Sequence, residues 1–478
     1  MSRLFLAAAL LSLVLAFACD DETTPVVNRP TSAATTATPE PGSTFIPFTP
    51  TAPTPTPRPR PEANPFPDEL RAQAAELLAR IGEVRGTPAR REVEMFLLTR
   101  EQARDFYLGG GDSDSATDQT PTDSVEGEEE APPRPFNLRQ ETYVLLGLVP
   151  PPQPRPPSEP GPVTGTLQDQ QIDNLISQIT GFYSDEFAAL YLVENSGGCV
   201  RPESTIVHEL THALQYQYRD IDNLVRERAG NWDASRALLT VLEGDAVYTE
   251  TQVLGFSTRS TCVREPACFQ IPAARGASPY VVERELDTWY EDGFCFIQVV
   301  HGQLTRGITG IFEDLPTTTE QILHPEKYLE GEAARPVFLN SLIDDLGPGW
   351  EQMGRGNFGE FGLQNLLLTG LAGDPTLVQD AAAGWGGDSF FFYQDVEGEQ
   401  LLHLETRWDT GDEARQFYDA LVACMAALAE TDGPEDGAAL YRTAIGDITW
   451  STTVASDRVT LLVATDASAL ESAATMVE

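Results

Sequence analysis

The stretch STIVHELTHALQYQYRD, Ser204 to Asp220, does most to limit what this chain can fold into. Ile206, Val207, Leu210, Ala213 and Leu214 recur at helical spacing, which predicts a helix that begins near Pro202, Glu203 or Ser204 and runs past Tyr216. His208 and His212 then stand one turn apart on one face, separated by roughly 6 Å along the axis and within reach of a single ion. Zinc binds histidine nitrogen at about 2.0 to 2.1 Å, and a catalytic zinc needs a third protein ligand and one open position for water. Glu209 follows His208 but is rotated around the helix, so its carboxylate can face the open position and take a proton from that water. The blander reading is a buried helix whose two histidines are simply hydrogen-bonded, and a third ligand decides between the two.

The segment WDASRALLTVLEGDAVYTETQVLG supplies a candidate. It is expected to form a second helix capped by Asp233, with Leu239, Leu242 and Ala246 turning the face that carries Glu243 toward the core. A carboxylate buried there requires a partner, and zinc is a good one. H-E-x-x-H on one helix, followed 31 positions after its second histidine by a glutamate on the next, resembles the gluzincin metallopeptidases, the thermolysin-like group. The resemblance implies His208, His212 and Glu243 as zinc ligands, Glu209 as general base, and a peptide or protein as substrate. It also implies that the strand expected over Phe187 to Val193 is an edge strand that binds extended peptide by β-addition. One position departs from thermolysin: where that protein has an aspartate four residues after the third ligand, supporting a histidine, this chain has Val247, which leaves Asp245 or Glu250 for that contact. More broadly, GFYSDEF, HELTHALQ, EGDA and TTTEQILHPEKY resemble a family of bacterial secreted proteins of the same clan, over roughly Tyr143 to the C-terminus.

A site that hydrolyses amides also needs a group to stabilise the oxyanion, and His324, Tyr248 and Tyr290 are candidates. The plainer reading places His324 at the end of a short helix begun at Thr319, just before Pro325, and both tyrosines in the core. His301 and His403 have no comparable neighbours and are assigned to ordinary hydrogen bonding. AAAGWGGDSFFFY has the glycines of a phosphate loop without its Lys and Ser/Thr, and reads better as a turn into a buried aromatic strand.

Around this centre the chain divides by composition. One arginine and a largely apolar run from Leu4 to Ala18, too short to span a bilayer comfortably, predict an export signal over residues 1–18. The run resembles a lipoprotein signal, which implies lipidation of Cys19, although Ala16 and Phe17 depart from the usual residues. Residues 19–66, rich in Thr, Pro, Ala and Ser, cannot bury enough apolar area to fold and read as a tether. Residues 67–165 are expected to be an N-terminal α/β segment that opens with the helix DELRAQAAELLARIGEVRG, ended by Gly86, and carries an acidic insertion at 109–135. The resemblance implies a gluzincin-like domain over residues 166–346, and residues 347–478 are expected to form a small C-terminal domain with closing strands and a last helix. The expected class is α+β: a mainly helical zincin-like core with a small sheet, plus a C-terminal α+β domain. TGDEARQFYDAL near the C-terminus echoes the earlier TREQARDFYLG, and similar capping at two strand-to-helix turns explains the echo as well as duplication does.

The 31 basic and 73 acidic residues give a formal charge of -42, and Lys327 is the only lysine. Such a surface repels nucleic acid, which is excluded as a partner, and anionic lipid, so contact with a membrane is expected only through the N-terminal lipid anchor. Six cysteines in an exported chain favour disulfides. Cys262 and Cys268 in CVREPAC are one candidate pair and Cys199 with Cys295 another; the odd thiol is most simply a buried Cys424. The expectation is an extracytoplasmic zinc peptidase. The alternative is a catalytically silent, zinc-stabilised binding or scaffold lipoprotein of the cell envelope, with its metal covered.

Overall fold

A computed structural model describes residues 60–108, 136–152, 166–167, 170–171, 176, 179–194, 202–255, 268–274, 279–429, 438–443 and 446–477. The expected signal, most of the tether and the acidic insertion at 109–135 lie outside the described residues. The fold is α+β, built from a four-stranded and a six-stranded sheet with helices between them.

The expected tether boundary at residue 66 moves toward the N-terminus. Strand β1, Asn64–Pro65, pairs with β2, Glu94–Leu98. Phe66 is buried, and the Arg60 guanidinium lies over the rings of Phe96 and Phe187, 4.9 and 5.8 Å from their centroids. One aromatic anchor and a cation over two rings hold a proline-rich segment that composition alone counts as unable to fold.

The first sheet has the order β1-β2-β4-β3, where β3 is Gly181–Ser184 and β4 is Ala189–Val193. β2 and β4 run parallel, whereas β3 and β4 form an antiparallel hairpin. This corrects the expectation that the strand ending at Val193 is an edge. β4 is flanked on both sides and wholly buried, and the edges of the sheet belong to β1 and β3. The alternation of β4 explains its place: Leu190 and Leu192 pack with the helix that carries the histidines, and Ala189, Tyr191 and Val193 with the opposite layer.

Three helices form the centre. The histidine helix, Pro202–Tyr218, starts at a proline, which is compatible with a first helical position, and is buried on every face from Ser204 to Gln215. The glutamate helix, Trp232–Leu254, is capped by Asn231, whose side chain accepts from Ala234 N at 2.8 Å. Asp233, the expected cap, is instead buried and accepts the backbone N–H and hydroxyl of Thr319. The third helix runs from Tyr280–Asp287 through a π-helical turn, Thr288–Asp292, into Gly293–His301. It crosses the glutamate helix where two glycines meet: a Cβ on Gly244 would lie 2.1 Å from the Gly293 carbonyl carbon, and one on Gly293 would lie 2.3 Å from Thr240 O. The glycine of EGDA is therefore required by the approach of a backbone, next door to Glu243.

Both candidate cysteine pairs, Cys262–Cys268 and Cys199–Cys295, are also corrected. Cys268 is bonded to Cys295, 27 positions away on the third helix, while Cys262 lies outside the described residues. A short loop suggests its own two cysteines as partners, but the packing of residue 268 against the third helix decides the pairing. Cys424 is a buried free thiol.

The second sheet is antiparallel throughout, in the order β5-β6-β7-β10-β9-β8, with β5 Glu351–Gly356, β6 Trp385–Gln394, β7 Gln400–Trp408, β8 Ala438–Thr443, β9 Gly446–Ala455 and β10 Arg458–Ala464. Val459, Leu461 and Val463 of β10 face the helices of the main core, and Leu462 and Ala464 face the closing helix Ala467–Val477. The sequence echo marks two reciprocal capping boxes. Thr99 N donates to Gln102 Oε1 at 2.8 Å and Gln102 N to Thr99 Oγ1 at 3.2 Å, while Thr410 N donates to Glu413 Oε2 at 2.7 Å and Glu413 N to Thr410 Oγ1 at 3.2 Å. Lys327 links the helical part to the second sheet, its ammonium donating to Glu320 at 2.5 Å and to Asp409 at 2.8 Å.

The glycine crossing gives a test of this packing. Gly244→Ala is expected to cost about 3 kcal/mol in urea denaturation, the upper end for overpacking, because the obstacle is backbone. Gly302→Ala, where a Cβ meets nothing within 4 Å, should stay within about 0.5 kcal/mol of wild type.

Candidate metal centre

The histidine and glutamate helices bring His208, His212 and Glu243 together, with one ligand atom from each lying within 4.8 Å of the others. All three have no exposed surface, and neither has Glu209. His208 Nε2 is 3.1 Å from Glu243 Oε2, and His212 Nε2 is 3.5 Å from the same oxygen. The rings stand nearly edge to face, with centroids 4.8 Å apart.

The outer nitrogen of each ring is held by a different partner. His208 Nδ1 is 2.7 Å from Glu250 Oε1, and the other oxygen of Glu250 accepts from the Ser204 hydroxyl at 2.5 Å. His212 Nδ1 is 2.9 Å from Gln215 Oε1. Both N–H groups of the Gln215 amide are spent, one on Leu242 O at 2.9 Å and one on Asp245 Oδ2 at 2.7 Å. Its oxygen must therefore accept from His212, which fixes the proton on Nδ1 and leaves the Nε2 lone pair facing the cluster. Asp245 is fixed in turn by Arg85, from the helix Asp68–Arg85, which also donates to Thr249 at 2.8 Å.

Two imidazoles and a carboxylate are the donor chemistry of zinc, and the orphaned atoms lie where an ion would sit. His212 Nε2 and Glu243 Oε1 are buried with no hydrogen-bond partner among the described residues, an expensive arrangement unless a cation takes both. Charge points the same way, because three carboxylates, Glu209, Glu243 and Glu250, are buried around the two rings. Burial opposes a charge on His208, but the hydrogen bonds of Glu243 and Glu250, with the charge of Glu209, outweigh it and push the ring up to about 10. Burial also opposes a charge on Glu243, and the neighbouring His212 and His208 hold its carboxyl below the usual range. The residues present thus fit a divalent metal.

The other residues singled out in the sequence divide. Tyr290, on the π turn, sits beside the cluster with its ring centroid 5.8 Å from that of His208. Tyr248 packs on Phe294 and on His301, its hydroxyl 3.3 Å from His301 Nδ1. His324 closes the helix Thr319–Leu323, with Nε2 3.0 Å from Glu360 Oε1. Gln215 is the contact that sequence reasoning missed. Its only signal is its place three residues beyond His212 in HELTHALQ, on the same face of the helix. A second acidic group, Glu320, Glu332 and Asp409, is already gathered around the ammonium of Lys327 and offers no comparable place for a metal.

A family model described as "Domain of unknown function (DUF8575)" matches residues 348–474. That region is the second sheet with its helices and lies wholly C-terminal to the cluster. No curated protein and no solved structure matches the chain.

Outer contacts of this kind govern metal affinity. Glu250→Gln, which leaves one oxygen to accept from both His208 and Ser204, and Gln215→Leu, which frees the His212 ring, should each weaken zinc binding by about 10- to 100-fold in competition with a chromophoric chelator. Affinity within about twofold of wild type would show that the rings are held by helix packing alone.

Proposed function

We propose that this protein is a zinc-dependent peptidase of the gluzincin type, working outside the cytoplasm. The observation that carries the reading is the convergence of two histidine Nε2 atoms and the Glu243 carboxylate, with each outer ring nitrogen tied to its own acceptor. His208, His212 and Glu243 would hold the metal. Bound zinc supplies Lewis acidity toward water and the scissile carbonyl. Glu209, on the turn between the two histidines, takes a proton from the attacking water and passes it to the leaving amine. Tyr290 stands closest of the three oxyanion candidates, while His324 and Tyr248 are engaged elsewhere. The free edge of β3 supports β-addition of an extended peptide in the place first expected for β4. The N-terminal signal and Cys19 support an exported, lipid-anchored protein.

One observation favours a second reading: the ligands and Glu209 have no exposed surface. In a catalytically silent protein the same zinc would instead stabilise the contact between the histidine and glutamate helices. Zinc content and casein hydrolysis, measured on wild type, Glu209→Gln and His212→Ala, separate the two readings. The peptidase predicts one zinc per chain in wild type and Glu209→Gln, loss of zinc in His212→Ala, and hydrolysis by wild type alone, with at least a 100-fold loss in Glu209→Gln. Zinc without hydrolysis in any form would leave the second reading, and no zinc in any form would end both.

Removing the metal tests stability under either reading. A chelator should lower the unfolding free energy of wild type by about 4 kcal/mol where free zinc had been near a thousand times Kd, and should leave His212→Ala unmoved, as followed by thermal denaturation.

A further inference from the structure

About one turn beyond His212, Tyr216 of the histidine helix packs against Tyr183 of the edge strand β3, and a hollow of about 430 Å³ opens there. Its walls bring together Tyr183 of β3, Asp185 of the β3–β4 turn, Tyr216 of the histidine helix and Asp222 of the following helix, Ile221–Arg228. Tyr183 is only 3% exposed, yet its hydroxyl has no hydrogen-bond partner among the described residues, and neither has that of Tyr216, whose ring packs on it at 5.7 Å. Among the described residues no basic side chain pairs with Asp185 or Asp222. The other polar walls are committed: Asp220 caps the helix that carries Asp222, Gln217 is bonded to the backbone around Arg91, and Tyr218 donates to Pro88 O.

The hollow therefore holds two carboxylates with no ion-pair partner among the described residues and two hydroxyls without partners there, one turn along the helix from His212 and beside the edge strand β3. Arg91 and Arg219 also line the hollow against three aspartates, Asp185, Asp220 and Asp222, and neither arginine is ion-paired to Asp185 or Asp222; Arg219 lies over the Phe312 ring. Burial raises the Asp185 carboxyl and the charge of Asp222 raises it further; burial likewise raises Tyr216, with Asp185 and Asp222 adding to it. Each of these groups is eased by a positive charge placed among them.

We propose that this hollow is a specificity pocket that takes the cationic side chain, arginine or lysine, of a peptide lying along β3. Asp185 and Asp222 accept its N–H groups and the Tyr183 and Tyr216 hydroxyls complete the polar ring. The assignment rests on the peptidase reading for the class of molecule that carries the charge.

The test uses the full chain carrying Glu209→Gln, so that binding is read without turnover. N-acetylated, C-amidated octapeptides of alanine and leucine carry a single arginine, lysine or norleucine moved through each position, and calorimetry gives their affinities. The pocket predicts at least one position where arginine and lysine bind about tenfold more tightly than norleucine, the worth of charge-assisted hydrogen bonds. Asp185→Asn with Asp222→Asn should bring that ratio within about twofold while zinc content stays at wild type. Equal binding of the three residues at every position, or a ratio that survives the double substitution, overturns the proposal. So does tightening produced only by a free amino terminus. Failure of zinc-loaded wild type to hydrolyse casein would overturn the peptidase reading and leave this ratio intact.

Discussion

Placing His208, Glu209, His212, Glu243 and Glu250 inside a packed helical centre is the constraint on which the rest depends. Buried carboxylates and imidazoles cost more than hydrophobic packing returns unless each has a partner. The surroundings are arranged accordingly: Ser204 and Glu250 serve one ring, and Gln215, Asp245 and Arg85 serve the other. Among the atoms left without a hydrogen-bond partner are His212 Nε2, Glu243 Oε1 and Glu209 Oε2. The Gly244–Gly293 crossing belongs to the same arrangement, because it lets the third helix close over this layer and bring Tyr290 beside His208.

How much of this was legible in the sequence follows from range. H-E-x-x-H is readable because four residues of helix place two side chains on one face, whatever the remaining chain does. The capping boxes at Thr99 and Thr410 are readable for the same reason. Glu243 is not local to the histidines: the buried face of its own helix made it a candidate, and the resemblance to a family placed it with them. Glu250 and Asp245 were both open candidates for one supporting contact, and the structure gives each a ring of its own. Gln215 stayed hidden because its role depends on an amide orientation set by Leu242 and Asp245, which no pattern of spacing encodes.

The misreadings share that cause. ALYLV reads correctly as a strand, but whether it is central or at an edge is decided by β2 and β3, not by its own residues. In GNWDAS both Asn231 and Asp233 suit a helix start, and the choice falls to Asn231 because Asp233 is claimed by Thr319, 86 positions away. The cysteine pairing was likewise decided by a helix distant in sequence.

The link between Arg85 and Asp245 spans 160 positions. The two histidines are set as soon as their own helix forms, whereas the support of His212 is complete only when the helix ending at Arg85 has docked. Long-range contacts of this kind form after the entropy of closing the intervening chain has been met. On the zinc reading, high-affinity capture of metal is therefore a late step in the assembly of this molecule. On that reading a newly made chain would present a loose two-histidine site first and acquire its full grip only as the helix ending at Arg85 settles, so the ion would report the completed fold and not nucleate it.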